Sequence, residues 1–339
     1  MKGLRDLFLA DLDIMQHTPQ NAGVSKQPFD DPAHMNPAVP DPSSVLIIGC
    51  GDIGRRVAAR WQTVPVCGLV SSAASAQQLQ TAGITPMEAN LDDPATLKDL
   101  PLANALVYYF APPPATGTTD PRMGHFLATI DPAHLPSRIV YISTSGVYGD
   151  RGGEVVNEDT PPNPQVDRAR RRYDAEQQLR RFGQEYEVAV VILRVGGIYG
   201  PGRLPRKRLE DRIPIIHEHL APSTNRIHAE DLAQICVAAA RRGRADTVYN
   251  VSDGTDSNMT EYFNTVADFL KLPRPPTIDW EEAERTLSTG MLSYLKESRR
   301  MDNRRMLEEL GVELQYPTLE AGLAAMAEET KQPTSEDTQ

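Results

Sequence analysis

The sequence predicts an α/β protein built on a doubly wound parallel sheet, and three observations carry that prediction. The first is the stretch Val45–Trp61, VLIIGCGDIGRRVAARW, in which four aliphatic residues run directly into glycines at 49, 51 and 54. A short unbroken apolar run of this kind is what a strand buried on both faces looks like. The second is the alternation of strand-like and helix-like segments that continues from there towards Leu310, the pattern of a parallel sheet covered by helices. The third is where the polar and glycine-rich breaks fall. Gly49–Gly54, Ser71–Ser72, Ala111–Pro114 and Thr144–Tyr148 each follow a strand, and ligands of such sheets sit at the carboxyl ends of the strands.

Taken in order, Val45–Ile48 is the first strand. Gly49, Gly51 and Gly54 stand at G-x-G-x-x-G spacing, and Arg55–Trp61 continues in a helical pattern with Ile53, Val57, Ala58 and Trp61 on one side. In a dinucleotide-binding, Rossmann-type turn the first glycine permits the tight turn and the second lets a pyrophosphate approach the backbone. The third allows helix and strand to pack closely. The helix N-terminus then offers free N–H groups to phosphate, and Asp52 and Ile53 of the turn join the glycines as cofactor-contacting candidates. A bare glycine spacing also fits a structural turn; the strand before it and the helix after it favour the nucleotide. Cys50, inside the turn, reads as a small filler or as a thiol activated by the helix end.

Strand Val64–Val70 leads to helix Ala73–Ala82, and strand Ile84–Glu88 leads to a turn whose Pro94 suits the first turn of a helix. Strand Ala105–Phe110 breaks at APPP. Helix Met123–Ile130, strand Arg138–Ser143, helix Asp167–Gln184 and strand Val188–Arg194 follow. Helix His228–Arg241, strand Thr247–Val251 and helices Met259–Leu270, Trp280–Ser288 and Asp302–Leu310 complete the pattern.

Composition narrows the class of function. The chain has 339 residues, 40% of them hydrophobic and 24% charged, and a formal net charge of −11. That charge argues against a nucleic-acid or anionic-membrane surface. Three scattered cysteines, Cys50, Cys67 and Cys236, form neither a disulfide framework nor a metal-ligand spacing, which points to a reducing, cytoplasmic setting with no metal. No apolar run is long enough to span a bilayer. Leu4–Met15 carries Asp11 and Asp13 and does not read as a signal peptide. Met1–Met15 suits a short amphipathic helix. Gln16–Ser44, with six prolines from Pro19 to Pro42, reads as a linker, and Met35 offers a second start of translation. Residues 1–44 are therefore expected to be a disordered or loosely attached extension, and residues 331–339 a disordered tail. Residues 45–330 form the folded domain.

The segment RIVYISTSGVYGD (138–150) places Thr144 and Ser145 at the mouth of the sheet. With ILRVGGIYGPGR (192–203), RIHAEDLA (226–233) and VYNVSDG (248–254), it resembles the extended short-chain dehydrogenase/reductase family, the epimerase and dehydratase group, over residues 45 to 320. The resemblance implies a Rossmann-type sheet with a small C-terminal substrate lobe interleaved at about 197–228 and 252–320. It also implies a nicotinamide cofactor, a small-molecule substrate and the homodimer usual in the family. It assigns Thr144 to the substrate oxygen, with a strand-end or turn-capping hydroxyl as the structural alternative. The family's acid/base is the Tyr of a Y-x-x-x-K pair. Aligning on Glu176 puts Arg168 and Arg172 in those places, and an arginine cannot shuttle a proton. Tyr173 is the nearby substitute, with Tyr148 a more distant one. This departure resembles the atypical branch of the family, which keeps the fold and nucleotide site and includes both enzymes and non-catalytic binders.

Other residues complete the expected site. Arg168 and Arg172, at i and i+4, suit a carboxylate or phosphate substrate, or simply a solvated helix face. Ser145 is a further substrate candidate, and so is Arg203, after the Pro-Gly turn, which could face the cleft or water equally well. No acid follows the second strand, where Ser71 stands. Arg55 and Arg56 follow Gly54, which favours NADP over NAD. Asn90 stands where the family often has an adenine-contacting Asp, and Ala111 lines the mouth. His228 is a candidate base, but reads first as a structural histidine oriented by Asp231. Gly197 replaces an Asn common in nucleotide-sugar enzymes. The two functions left open are an NADP-linked oxidoreductase or epimerase-like enzyme on a small polar metabolite, and an inactive NADP(H)-binding sensor or interaction module.

Overall fold

A computed structural model describes residues 36–329. Seven parallel strands form the central sheet: β1 (Val45–Ile48), β2 (Val66–Val70), β3 (Thr85–Glu88), β4 (Leu106–Tyr109), β5 (Arg138–Thr144), β6 (Ala189–Val195) and β7 (Thr247–Val251). Their order is β7-β6-β5-β4-β1-β2-β3, so the winding reverses between β1 and β4. The crevice at such a reversal is where open α/β sheets hold ligands.

Alternation along each strand explains the two-sided burial. Val45 and Ile47 of β1 face helices α1 (Asp52–Ala58), α6 (Ala229–Arg242) and α10 (Arg304–Leu310). Leu46 and Ile48 face α3 (Pro121–Ala128) and α4 (Asp167–Tyr186). The remaining helices are α2 (Ala73–Thr81), α5 (Arg206–Glu210), α7 (Met259–Leu270), α8 (Trp280–Thr286), α9 (Thr289–Leu295) and α11 (Leu319–Glu329). Most predicted elements lie within two residues of their predicted bounds, and the β7 and α7 ranges coincide with them. The first helix starts earlier and ends earlier than its apolar pattern, at Ala58, with Trp61 buried just beyond it.

Two domain expectations need correction. Residues 36–44 are not loose. Asn36 donates from its amide nitrogen to Glu309 O at 3.1 Å, Val39 N donates to Arg241 O at 2.8 Å, and Asp41 pairs with Arg241. The proline-rich composition hid these backbone partners. The small lobe has its own core of Leu209, Ile215, Met259, Phe263, Val266 and Leu323. Met306 and Leu310 of α10 instead pack into the main core, so the segment 302–312 belongs to the sheet domain, and the lobe is completed by α11. The expectations for residues 1–35 and 331–339 lie outside the described residues.

The position of α4 is fixed by a buried ion pair. Glu176 is fully buried and takes two bonds from Arg194 of β6, 3.1 Å from Nε and 2.7 Å from Nη2; Arg194 is only 3% exposed. Ser143 of β5 donates to the same carboxylate. Glu176→Ala would strand the guanidinium in the core, a loss of about 3–5 kcal/mol. Urea denaturation of the variant should show it; a change below about 1 kcal/mol would mean the pair does not hold the helix.

Candidate functional site

The glycine turn joins β1 to α1, and each glycine has a separate physical reason. Gly49 has φ +80°, and a Cβ there would lie 2.6 Å from Ala111 N, just past β4. The two sides of the crevice are therefore in backbone contact. Gly54 lies against Ile47 and Cys50, where a Cβ would meet side-chain atoms at 3.1 Å. A Cβ on Gly51 would meet nothing within 4 Å, so the space above the turn is open. No side chain caps the first turn of α1, which leaves its leading N–H groups available. Burial pushes the Cys50 thiol up to about 12, so it is a packing residue and not a nucleophile.

The charged residues around the turn form a network that the sequence order concealed. Asp52 accepts from Arg56 Nε at 3.0 Å and from Arg203 Nε at 2.5 Å. Arg56 also pairs with Glu230, which takes a 2.6 Å bond from Arg60. Burial raises the Asp52 pKa, but the Arg203 hydrogen bond and the charges of Arg56 and Arg203 outweigh it, and the net shift is downward. Two expectations are thereby corrected. Arg56 is turned towards α6 and away from the second strand, and Arg203 meets the glycine turn. Arg55 leans the other way, donating to Gln78 of α2 at 3.2 Å. Ser71 is exposed at the end of β2, while Ser72 caps α2 by accepting from Ser75 N. Asn90 follows β3, but its Oδ1 is occupied by Asp92 N at 3.0 Å, so its amide NH₂ is the group left to meet a ligand.

At the other side of the mouth, Thr144 ends β5 and its Oγ1 accepts from Gly146 N at 3.2 Å. The turn-capping role is real. It uses the oxygen as acceptor and leaves the hydroxyl hydrogen to donate. Ser145 is next to it and half-buried. Arg172 reaches in from α4: its Nη1 donates to Ile142 O at 3.0 Å, to Ala111 O at 3.3 Å and to the Tyr141 hydroxyl at 3.3 Å. It therefore joins the ends of β4 and β5.

The rest of the expected catalytic set is dispersed. Arg168 does not share a ligand with Arg172. It donates to Ser293 Oγ at 2.9 Å, pairs with Glu297 and lies over the Tyr294 ring, because the lobe covers that part of α4. Tyr173 packs its ring on Val147, Tyr148, Val156 and Met301, and no hydrogen bond among the described residues joins it to Thr144. The five-position offset from Arg168 along the helix turns it to that apolar patch. Tyr148 is fully buried, donates to Asn250 Oδ1 at 2.7 Å and has its pKa raised by burial, so it is no proton donor.

His228 is structural, as expected, but Asp231 does not orient it. Asp231 accepts from Gln315 N and Tyr316 N, while His228 Nδ1 accepts from Glu230 N at 3.3 Å and caps α6. The ring is 2% exposed and lies between Tyr199, met edge-on at 77°, and Tyr316, tilted at 50°. Gly197 also has a local reason: a Cβ there would overlap the Arg226 guanidinium. Among the described residues no His, Cys, Asp or Glu cluster could hold a metal, and no helix is long and apolar enough to cross a membrane.

A glycine turn at the strand-order reversal of a seven-stranded parallel sheet, faced by a hydroxyl at the end of β5, defines a Rossmann-type α/β protein. The chain belongs to the NAD dependent epimerase/dehydratase family, whose sequence profile matches residues 45–252. It is 28% identical over 185 residues to Protein YeeZ of Escherichia coli (strain K12), covering 55% of this chain and 61% of that one. It is 22% identical over 142 residues to human dTDP-D-glucose 4,6-dehydratase, covering 40% and 41% respectively. The chain thus matches less than two thirds of the length of these relatives. A functionally unknown conserved protein from Silicibacter pomeroyi DSS superposes with a TM-score of 0.71 at 28% identity, over 86% of this chain and 100% of that one. A dTDP-glucose 4,6-dehydratase, the DesIV double mutant from Streptomyces venezuelae with NAD and DAU bound, has a TM-score of 0.69 at 19% identity over 85% and 97%, a likeness of fold.

The buried histidine makes a pH prediction. Burial pulls its pKa from 6.5 down to about 4. Below its ordinary pKa the unfolded chain takes up a proton that the folded chain refuses, so stability falls as pH drops from about 6.5 towards 4. His228→Asn should remove that component of the pH dependence in urea unfolding. An unchanged profile would show that the ring titrates normally in the fold.

Proposed function

We propose that this chain binds a nicotinamide dinucleotide across the glycine turn, NADP in preference to NAD, and acts as an oxidoreductase or epimerase-like enzyme on a small polar metabolite. The observation that carries the reading is the open space over Gly51, in the same sheet mouth as the Thr144 hydroxyl. The residues present fit the cofactor. The glycine turn leaves room for a diphosphate, Ala111 closes the opposite wall, and Arg55 with the exposed Ser71 offers donors for a 2′-phosphate where an acidic residue would repel it. The Asn90 amide NH₂, whose Oδ1 is taken by Asp92 N, would donate to adenine. The bound cofactor would supply hydride acceptance or donation.

The protein's own part is orientation and charge. Thr144 donates its hydroxyl hydrogen to the substrate oxygen while Gly146 N fixes the Oγ1 position. With α4 aligned on Glu176, Arg172 takes the place of the family's lysine. It is a permanent cation held at the mouth by Ala111 O and Ile142 O. Arg168 stands in the tyrosine's place and is committed to the lobe. Among the described residues neither Tyr173 nor Tyr148 is placed to take the tyrosine's part, and in this reading the substrate oxygen exchanges its proton with solvent at Thr144. That same commitment of Tyr173, Tyr148 and Arg168 favours a second reading, an NADP(H)-binding module without turnover.

Fluorescence titration with NADPH and NADH, followed by a screen of carbonyl substrates for cofactor oxidation, separates the two. Gly51→Val should leave unfolding stability within about 0.5 kcal/mol, because its side chain enters open space, yet weaken both dinucleotides at least tenfold. Unchanged affinity would remove the ligand from the turn. Arg55→Gln should weaken NADPH and spare NADH. On any substrate found, Thr144→Val should lower kcat about 100-fold with NADPH affinity unchanged; binding without oxidation of any carbonyl would leave the non-catalytic reading.

A further inference from the structure

Arg203 is the residue whose place differs most from its expected one, and its surroundings give it a new role. It lies just past the G-P-G turn after β6. Gly200 and Gly202 there have φ of +139° and +73°, and Arg203 N donates back to Gly200 O at 3.0 Å. This reversal carries the side chain to the start of α1, where Nε donates to Asp52 Oδ2. In the sheet order β1 lies two places from β5, so Arg203 is held on the glycine-turn side of the mouth and not at Thr144.

The charges of the cluster do not cancel. Asp52 and Glu230 contribute two negative charges, and Arg56, Arg60 and Arg203 contribute three positive ones, a balance of one positive charge. Arg56 is shared between Asp52 and Glu230, and Arg60 is taken up by Glu230 and by Arg56 O. Arg203 uses only Nε among the described residues, which leaves the two terminal nitrogens of its fork unassigned. Asp52, which holds Arg203 through Nε, directly follows Gly51, where a Cβ would meet nothing within 4 Å. Planar forked donors match the oxygens of phosphate.

We propose that Arg203 clamps the diphosphate of the bound dinucleotide, with Asp52 as the post that positions it. The proposal rests on the reading that a dinucleotide occupies the glycine turn. It moves Arg203 from the substrate to the cofactor. It also gives a reason for an acid inside a phosphate-binding turn: Asp52 is neutralised by Arg56 and holds Arg203 in reach. The alternative is a half-exposed ion pair that merely joins two loops, and such pairs contribute little.

The test uses the full chain and three probes that share the adenosine diphosphate unit: NADPH, NADH and ADP-ribose. Arg203→Gln should raise Kd for all three by about tenfold or more, with Arg203→Lys intermediate. Asp52→Asn should weaken them less, and the double variant should be no weaker than Arg203→Gln alone. Arg206→Gln, which removes the same charge from an exposed neighbour paired with Glu210, should change Kd less than twofold. The clamp is overturned if Arg203→Gln leaves NADPH affinity within twofold, if it spares ADP-ribose, or if Arg206→Gln has an equal effect. Failure of the unaltered chain to bind any of the three would overturn the underlying nucleotide reading instead.

Discussion

The geometry of the mouth depends on one buried ion pair. Glu176 and Arg194 are both withdrawn from water, and such a pair returns little net stability once desolvation is counted. Its effect is positional. Burial acts to lower the Arg194 pKa, but Glu176 and Tyr148 outweigh it, and the guanidinium stays charged 4.8 Å over the Tyr148 ring. Through it α4 is tied to β6, and through Ser143 to β5, one residue before Thr144. One helical turn back from Glu176, Arg172 is brought to the carbonyls that end β4 and β5. The hydroxyl and the fixed cation at the mouth are both set by this anchor.

The other wall of the mouth is set by sterics. The approach of Gly49 to Ala111 leaves no room for a Cβ, so the strand-order reversal is closed by backbone, while Gly51 keeps the space above the turn open. Around it Asp52 and Glu230 are answered by arginines, and the network runs from the turn through Arg56 to Glu230 of α6. The helices on this face are thereby coupled to the same turn that the ligand would touch.

What could be read from the sequence was what has a local cause. The sheet strands follow from aliphatic runs, and the glycine turn from a spacing whose tight turn at Gly49 and close packing at Gly54 are seen in the structure. The hydroxyl at Thr144 followed from its place after a strand. What could not be read was contact across distance. Asp52 and Arg203 are joined over 151 positions, and nothing near Arg203 signals its partner. Helical spacing put Arg168 and Arg172 on one face, but their long side chains leave it in different directions, one to the lobe and one to the strands. The docking of residues 36–44 was hidden because backbone hydrogen bonds have no sequence signature. Gly197 looked like a lost ligand and is better explained by the Arg226 guanidinium that fills its side-chain space.

The most direct measurement is a crystal structure of the chain grown with NADPH. The diphosphate should lie over residues 49–54, the 2′-phosphate at Arg55 and Ser71, and the nicotinamide end beside Thr144 and Arg172. A dinucleotide bound elsewhere, or a glycine turn still empty at saturating NADPH, would contradict this placement.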